Sequence, residues 1–411
     1  MIARPLFCAL AIAFFSLGLI EHGPQQVFHV QDQVENAFPK GVLFRLRLAA
    51  DVPVKEVRLH YQVSPRGIPG VVSPPFEPGA IVEASYLLGW PQTYLHPGAR
   101  ITYWWEVTDE EGHALVTPTA TYLYEDPRFP FRSLAEGKLT IHWYEGTEGD
   151  AKAFLRLAHE ALEELQALLK VEVPFNVHVW VYRSPQDMAP ALMPRSETFE
   201  RQVITLGTKV ADDTLLLAGL RDVDTLRHEL AHIVTAVAGD TPFGSIPAWL
   251  DEGTAVYVQK SPGSFRFALE RAVARDSLIP LPSLASPPGD PSLVELFYGQ
   301  AWSVVSYLIS TYGEEKFAQL FSVLKRGSLM NDALREVYGI GLRELEDEWR
   351  AWLGLPPVVW PTPQPQGLGE EAWRTPPRAD GVPWPLIGAG AAAVIGILMG
   401  AWSLQRLLRA G

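Results

Sequence analysis

The chain has 411 residues, enough for two or three domains that each bury a core. Its 34 basic and 47 acidic residues give a formal net charge of −13, so no nucleic-acid partner is expected, because nucleic-acid-binding proteins carry a basic footprint. The only cysteine, Cys8, lies in the N-terminal apolar run, which leaves the rest of the chain without disulfides or thiolate metal ligands.

Residues 1–20 have the pattern of an export signal. Arg4 is followed by an apolar run from Pro5 to Ile20, and a charge followed by an apolar stretch is typical of secretory signal peptides. An uncleaved N-terminal anchor is the alternative reading of the same pattern. Both predict that the chain after this segment lies on the exterior side of a membrane.

Residues 24–127 are predicted to form a β-sandwich domain of immunoglobulin or fibronectin type. Apolar and polar residues alternate with period two in 44–48, 57–63 and 101–107, as in strands with one buried face. Turns rich in proline and glycine separate such runs, which is typical of a sandwich. A domain of this kind binds a substrate or partner, or only positions its neighbour, and fold alone does not choose between these roles.

Residues 131–353 mix strands with helices and contain the segment that carries chemistry. Asp222 or Asp224 is expected to cap the helix that holds the sequence HELAH, where a carboxylate accepts free N–H groups. His142 and His178 fall in strands without a ligand partner at motif spacing, so we interpret both as structural. The predicted strands are Lys138–Tyr144, Asn176–Tyr182 and Val203–Leu206, and the other predicted helices are Asp150–Leu169, Phe265–Arg275, Leu293–Thr311, Glu314–Lys325 and Leu342–Leu353, with a proline-rich loop over Ile279–Pro291.

The HELAH sequence predicts a zinc site. His228 and His232 are four residues apart, so on a helix they lie on one face, one turn from each other. Two neutral imidazoles at this spacing bind one Zn²⁺, and Glu229 beside them can act as a general base. The simpler alternative is an ordinary amphipathic helix with surface or core histidines.

A third ligand is needed, and Glu252 in WLDEG, twenty residues after His232, is the best candidate. It follows Pro247 at a predicted helix start. Its i−4 and i+4 neighbours are Ala248 and Val256, so a routine helical salt bridge does not explain this glutamate. We therefore predict one zinc ion per chain, bound by His228, His232 and Glu252.

The two motifs resemble those of the gluzincin metallopeptidases, and more closely the peptidase-MA-like families with W-L-x-E-G. The resemblance implies a gluzincin-type catalytic domain in a multidomain α+β protein, hydrolysis of peptide bonds, and Glu229 as the catalytic base. It also implies that the strand before the metal helix lines the substrate site as an edge strand. The metzincins are excluded because Thr235 and Ala238 stand where that clan has glycine and a third histidine.

Gluzincins add a histidine or tyrosine that donates a hydrogen bond to the developing oxyanion. His232 is the last histidine of the chain, so a tyrosine is the natural substitute here. Tyr298, at the start of a predicted helix, is our first candidate for this catalytic role. Tyr257 is the rival, and a purely packing role for Tyr298 is the remaining alternative.

The C-terminal residues predict a stalk and a membrane anchor. Residues 354–381 are rich in proline, as in a semi-rigid linker, and residues 382–404 contain no charge over a length that spans a bilayer as a helix. Arg406 and Arg409 then predict a cytoplasmic tail over 405–411.

The apolar segment 382–404 also contains small residues at every fourth position, a pattern that packs membrane helices together as a dimer. These residues are Gly388, Ala392, Gly396 and Gly400. The sequence as a whole predicts a single-pass membrane-anchored zinc peptidase with its catalytic domain outside the cytoplasm, in contact with lipid through its C-terminal helix. The alternative is a non-catalytic surface protein that uses the same fold to bind a partner.

Overall fold

The structure is a computed structural model and describes residues 28–64, 67, 69–194, 205–241 and 244–358. It is a mixed α+β protein with a β-rich N-terminal region followed by a region with many helices. In the ranges given, no helix combines the length and apolar character needed to cross a bilayer. The predicted signal segment, the stalk after residue 358, the membrane helix 382–404, its small-residue stripe and the tail lie outside the described residues.

The described elements are thirteen strands and nine α-helices. The strands are β1 His29–Asn36, β2 Val42–Ala49, β3 Val54–Ser64, β4 Gly70–Val72, β5 Ile81–Leu88, β6 Arg100–Asp109, β7 Ala114–Val116, β8 Ala120–Leu123, β9 Arg132–Glu136, β10 Leu139–Trp143, β11 Val177–Tyr182, β12 Gly207–Ala211 and β13 Thr214–Ala218. The helices are α1 Glu148–Leu169, α2 Pro185–Met188, α3 Val223–Gly239, α4 Ala248–Tyr257, α5 Ser264–Ala274, α6 Val294–Tyr312, α7 Glu314–Lys325, α8 Met330–Tyr338 and α9 Leu342–Trp352.

The N-terminal strands form two antiparallel sheets. One has the order β1-β2-β5 and the other β4-β3-β6-β7, with β8 also paired to β6. Alternation explains the burial: Phe44 and Leu46 of β2 are buried while Arg45 and Arg47 point to solvent, as predicted. Buried residues of both sheets belong to one hydrophobic core, so the two sheets pack against each other.

A five-stranded mixed sheet has the order β12-β13-β11-β10-β9. Its strands come before α3, the helix that carries HELAH, in the sequence. Strands β10, β11 and β13 are parallel, and β12 and β9 form antiparallel edges. The prediction of a strand over Val203–Leu206 is wrong for Thr205 and Leu206, the two residues of this range that the structure describes. Both precede β12, which begins at Gly207. The turn after Ala211 determines the strand position, because it pairs β12 with β13 in an antiparallel hairpin.

The predicted helices 150–169, 265–275, 293–311, 314–325 and 342–353 are confirmed to within two residues at each end by α1, α5, α6, α7 and α9. Helix α8 was not predicted, although apolar and charged residues alternate in it at helical spacing. The predicted loop 279–291 contains one short 3₁₀ helix, Leu281–Ala285, and a second one, Pro291–Leu293, begins at its last residue. The loop is held by Gln300, whose amide bonds both the N–H and the carbonyl of Ile279 at 2.8 Å.

Residue contacts divide the chain into two compact units. The first unit comprises residues up to 161 together with 173–233, and it contains the three sheets. The second comprises 162–172 and the chain from 234 onward, and it contains α4 to α9. The predicted domains 24–127 and 131–353 stay a prediction.

Candidate metal centre

Helix α3 places two histidines on one buried face. Asp222 caps it: its carboxylate accepts the Thr225 backbone N–H at 3.0 Å and the Thr225 hydroxyl at 2.7 Å, which decides between the two predicted capping residues. His228 and His232 are both buried, and their ring centroids lie 4.8 Å apart at an interplanar angle of 80°. Neighbouring turns of one helix thus bring the two imidazoles together, as the four-residue spacing predicts.

Helix α4 carries Glu252. The helix begins after Pro247, whose fixed φ of −59° suits a helix start, and this confirms the predicted boundary. Glu252 has no exposed surface. The glycine beside it is required by packing, because a Cβ on Gly253 would lie 2.3 Å from the carbonyl oxygen of Ala301 on α6.

His228, His232 and Glu252 form the one group of three potential metal ligands found within the described ranges. One ligand atom of each residue lies within 4.8 Å of the others. Two imidazoles and one carboxylate are a donor set that zinc uses in catalytic sites, with the fourth position left for water or substrate. A fully buried carboxylate is stable only when its charge is compensated, which a bound cation does. The residues present therefore fit a zinc ion.

Glu229 lies next to the first histidine and is itself nearly buried. It is not one of the three residues of the ligand group. Its role as the catalytic base stays a prediction.

The edge strand β12 packs on the same turn of α3. A Cβ on Gly207 would lie 2.9 Å from Cγ of Glu229, and the Lys209 ammonium donates a hydrogen bond of 3.1 Å to the His232 carbonyl oxygen. These two residues are two apart in the strand and so point to the same face. Sequence reasoning missed both of them, because neither glycine nor lysine before the helix belongs to a motif.

Two tyrosines were proposed as oxyanion donors. Tyr298 on α6 is buried, and its ring stacks on Phe265 with the centroids 5.0 Å apart. It precedes Ala301 by three residues, so it lies about one helical turn from the point where α6 contacts Gly253. Tyr257 is half-buried on α4, and burial, together with the charge of Glu314, raises its pKa. The catalytic role of either tyrosine stays a prediction.

His142 and His178 face each other across β10 and β11. Nε2 of His142 lies 3.1 Å from Nδ1 of His178, and the Ser133 hydroxyl lies 2.8 Å from the other nitrogen of His142. Burial, with a smaller effect of His178, lowers the pKa of His142 to about 3. These contacts agree with the predicted structural role, since the two rings bond to each other and to a hydroxyl.

Comparison with known proteins gives one family match and several remote structural likenesses. The M1 zinc metallopeptidase from Deinococcus radiodurans is 14% identical, with 80% of this chain and 93% of that chain covered and a TM-score of 0.36. A β-1,3-glucan binding domain of carbohydrate-binding module family 56 is 25% identical over 23% of this chain and 96% of that chain, with a TM-score of 0.16. Both TM-scores are low, so neither likeness establishes a shared fold.

No curated protein matches the sequence significantly. The family model of the Peptidase MA superfamily matches residues 157–354. This range contains the HELAH helix, Glu252 and Tyr298, and the match agrees with the resemblance that the two motifs carry. Residues 157–354, just under half of the chain, are therefore similar to the Peptidase MA superfamily, and this similarity supports a gluzincin-like peptidase family.

Proposed function

We propose that this chain is a zinc-dependent peptidase that hydrolyses peptide bonds. The observation that carries the proposal is the group of His228, His232 and Glu252, whose ligand atoms lie within 4.8 Å of one another. Glu229 directly follows His228 in the sequence. The match of residues 157–354 to the Peptidase MA superfamily supports the same activity.

The chain's own residues supply binding and proton transfer. His228, His232 and Glu252 hold the ion, and three protein ligands leave a position open for chemistry. Zinc, when bound, supplies a Lewis acid that polarises the scissile carbonyl and makes water more acidic. Glu229 accepts the proton of the attacking water and delivers it to the leaving amine, a role that needs a carboxylate outside the ligand set.

The substrate is an extended peptide that pairs with the edge of β12. This strand is the first of its sheet, and among the described residues only β13 pairs with it. An edge strand offers unpaired N–H and C=O groups to an added strand. Because Gly207 contacts the Glu229 side chain, a peptide on this edge runs alongside the turn of α3 that carries the base.

The enzyme is anchored in a membrane and acts on its exterior face. The support is the uncharged segment 382–404, with Arg406 and Arg409 after it and a proline-rich stalk before it. The N-terminal sheets form a domain of immunoglobulin or fibronectin type, supported by their shared core and antiparallel pairing.

The test is zinc content and peptide digestion by the purified full chain. We expect one zinc per chain and cleavage of a peptide library, with Glu229→Gln keeping the zinc and losing about 10²–10⁴-fold in rate, because only the base is removed. A zinc-loaded chain that cleaves no peptide would instead indicate a surface protein that uses the fold for binding. Metal-free purified chain that also binds no added zinc would refute the proposal entirely.

The orientation is tested separately with protease added to intact cells. We expect cleavage in the stalk to release a large fragment that contains the metal helix, while a tag placed after Gly411 stays protected. Digestion of that tag from outside would contradict the orientation that the arginines predict.

A further inference from the structure

A hydrogen bond joins the two helices that carry the metal ligands. The hydroxyl of Thr235 on α3 donates to a carboxylate oxygen of Asp251 on α4 at 2.5 Å. Thr235 is 1% exposed and Asp251 is half-buried, so the bond is partly shielded from water. A hydrogen bond from a hydroxyl to an ionised carboxylate is among the stronger hydrogen bonds in proteins.

Both partners lie beside ligands. Thr235 follows His232 by three residues, about one helical turn or 4.5 Å along the axis of α3. Asp251 directly precedes Glu252. The bond therefore joins α3 and α4 one turn from a histidine ligand and one residue from the carboxylate ligand.

The position of α4 relative to α3 decides whether three ligands reach one ion. Zinc sites tolerate deviations of only about 0.2 Å in ligand distance. The contact of Gly253 with Ala301 places α4 against α6, but it does not connect α4 to the histidine helix. The Thr235–Asp251 bond makes that connection directly.

We propose that Thr235 is a positioning residue of the metal centre. Its hydroxyl, by bonding to Asp251, sets the spacing between the histidine pair and Glu252. This inference rests on the proposed zinc site, and it assigns a role to a threonine that lies outside both HELAH and WLDEG. The proposal requires that loss of the Thr235 hydroxyl lowers the zinc affinity by more than the accompanying loss of folding stability explains.

The chain offers a matched control. Thr254 on α4 is also fully buried, two residues after Glu252, but its hydroxyl bonds at 2.6 Å to the Leu250 carbonyl of its own helix. Thr235→Val and Thr254→Val each replace a buried hydroxyl by a methyl of similar size. Only the first removes a bond between the two helices.

The experiment measures zinc affinity of the full chain by competition with a metal chelator, and thermal unfolding of the zinc-free chain. We expect Thr235→Val to lose about tenfold or more in zinc affinity, as when groups that orient metal ligands are removed. Thr254→Val should keep the wild-type affinity, and Thr235→Ser, which keeps the hydroxyl, should restore it.

The outcomes separate this inference from the proposed function. Wild-type zinc affinity in Thr235→Val, or an equal loss in Thr254→Val, would overturn the positioning role while the zinc peptidase stands. Failure of the wild-type chain to bind zinc would instead refute the proposed function. Should Thr235→Val unfold, two single variants that keep the bond are measured instead. Thr235→Ser keeps the hydroxyl, and Asp251→Asn keeps an acceptor oxygen. Loss of zinc affinity in Thr235→Ser, although its hydroxyl is kept, would contradict the proposal.

Discussion

Two carboxylates in different regions of the molecule show how neighbours, rather than burial, distinguish a structural group from a metal ligand. Asp32 on β1 accepts hydrogen bonds from the Tyr103 hydroxyl at 2.8 Å and the Trp105 indole at 3.1 Å, and burial raises its pKa. Glu252 on α4 is fully buried, with ligand atoms of two histidines within 4.8 Å. Neutral donors satisfy Asp32 locally, whereas two imidazoles and a carboxylate match the ligand preference of zinc.

The difference extends to how each region is built. In the N-terminal sheets, neighbouring residues of one strand determine which side chain is buried, as Phe44 and Arg45 illustrate. At the metal centre, two helices of separate sequence segments must meet with a precision of tenths of an ångström. The predictions below test that contrast, from the largest expected effect to the smallest.

The largest effect is expected when the two carboxylates are removed in separate variants, because only one of these variants should lose the zinc. Glu252→Ala should reduce zinc from one per chain to near none and abolish hydrolysis, because two histidines alone hold zinc weakly. Asp32→Ala should keep the zinc and cost about 1–3 kcal/mol of stability, because Tyr103 and Trp105 lose their acceptor. Metal analysis and thermal unfolding of both variants check this, and full zinc retention in Glu252→Ala would mean that the third ligand is another residue.

The second effect concerns the proposed oxyanion donor. Tyr298→Phe should lower kcat by about 10²–10³ at normal zinc content and normal melting, because a donor is lost and the ring is kept. Tyr257→Phe is the matched control and should stay active. If instead Tyr257→Phe is inactive and Tyr298→Phe is not, the donor is Tyr257, and activity in both variants would assign neither.

Much of the centre was predictable because its motif is local. The four-residue spacing placed His228 and His232 on one face, and Pro247 marked the start of the Glu252 helix. The strand alternation around Phe44 and Trp105 was predictable for the same reason, since period two needs only neighbouring residues.

What was missed depends on contacts between distant segments. Strand β13, with the sequence TLLLA, is buried along most of its length and shows no alternation, so periodicity does not distinguish it. The position of β12 follows from pairing with that strand, which is why Val203–Leu206 was predicted too early. The Thr235–Asp251 bond links two helices whose packing no sequence spacing reveals.

A smaller effect on stability and zinc affinity is expected when either of two closely packed glycines is replaced by alanine. A Cβ on Gly253 meets the Ala301 backbone at 2.3 Å, whereas a Cβ on Gly70 of β4 meets the end of the Tyr61 ring, also at 2.3 Å. A half-buried ring turns aside more easily than helix backbone does. Gly253→Ala should therefore cost about 1–3 kcal/mol and lower zinc affinity, while Gly70→Ala costs less and leaves zinc unchanged. Equal losses of stability would show that α4 and α6 move apart as easily as the ring turns.

The smallest effect on the metal centre is expected from the histidine pair of the mixed sheet, which should give stability a pH dependence. Burial lowers the pKa of His142 to about 3, and burial also lowers that of His178, partly offset by the charge of Asp213. A histidine whose folded pKa is depressed binds fewer protons in the folded state than in the unfolded state. Its contribution to stability is therefore complete above the unfolded pKa of about 6.5 and is lost as the pH falls toward 3.

We expect the melting temperature of the zinc-free chain to fall between about pH 6.5 and pH 4, and His142→Gln to flatten that fall. Glutamine carries no titrating group, so the variant removes the proton uptake that unfolding causes at this position. His29→Gln, which changes an exposed histidine on β1, should keep the wild-type slope. If His142→Gln melts with the wild-type pH dependence, the acid sensitivity comes from other groups, and the paired rings of β10 and β11 contribute only packing and hydrogen bonds.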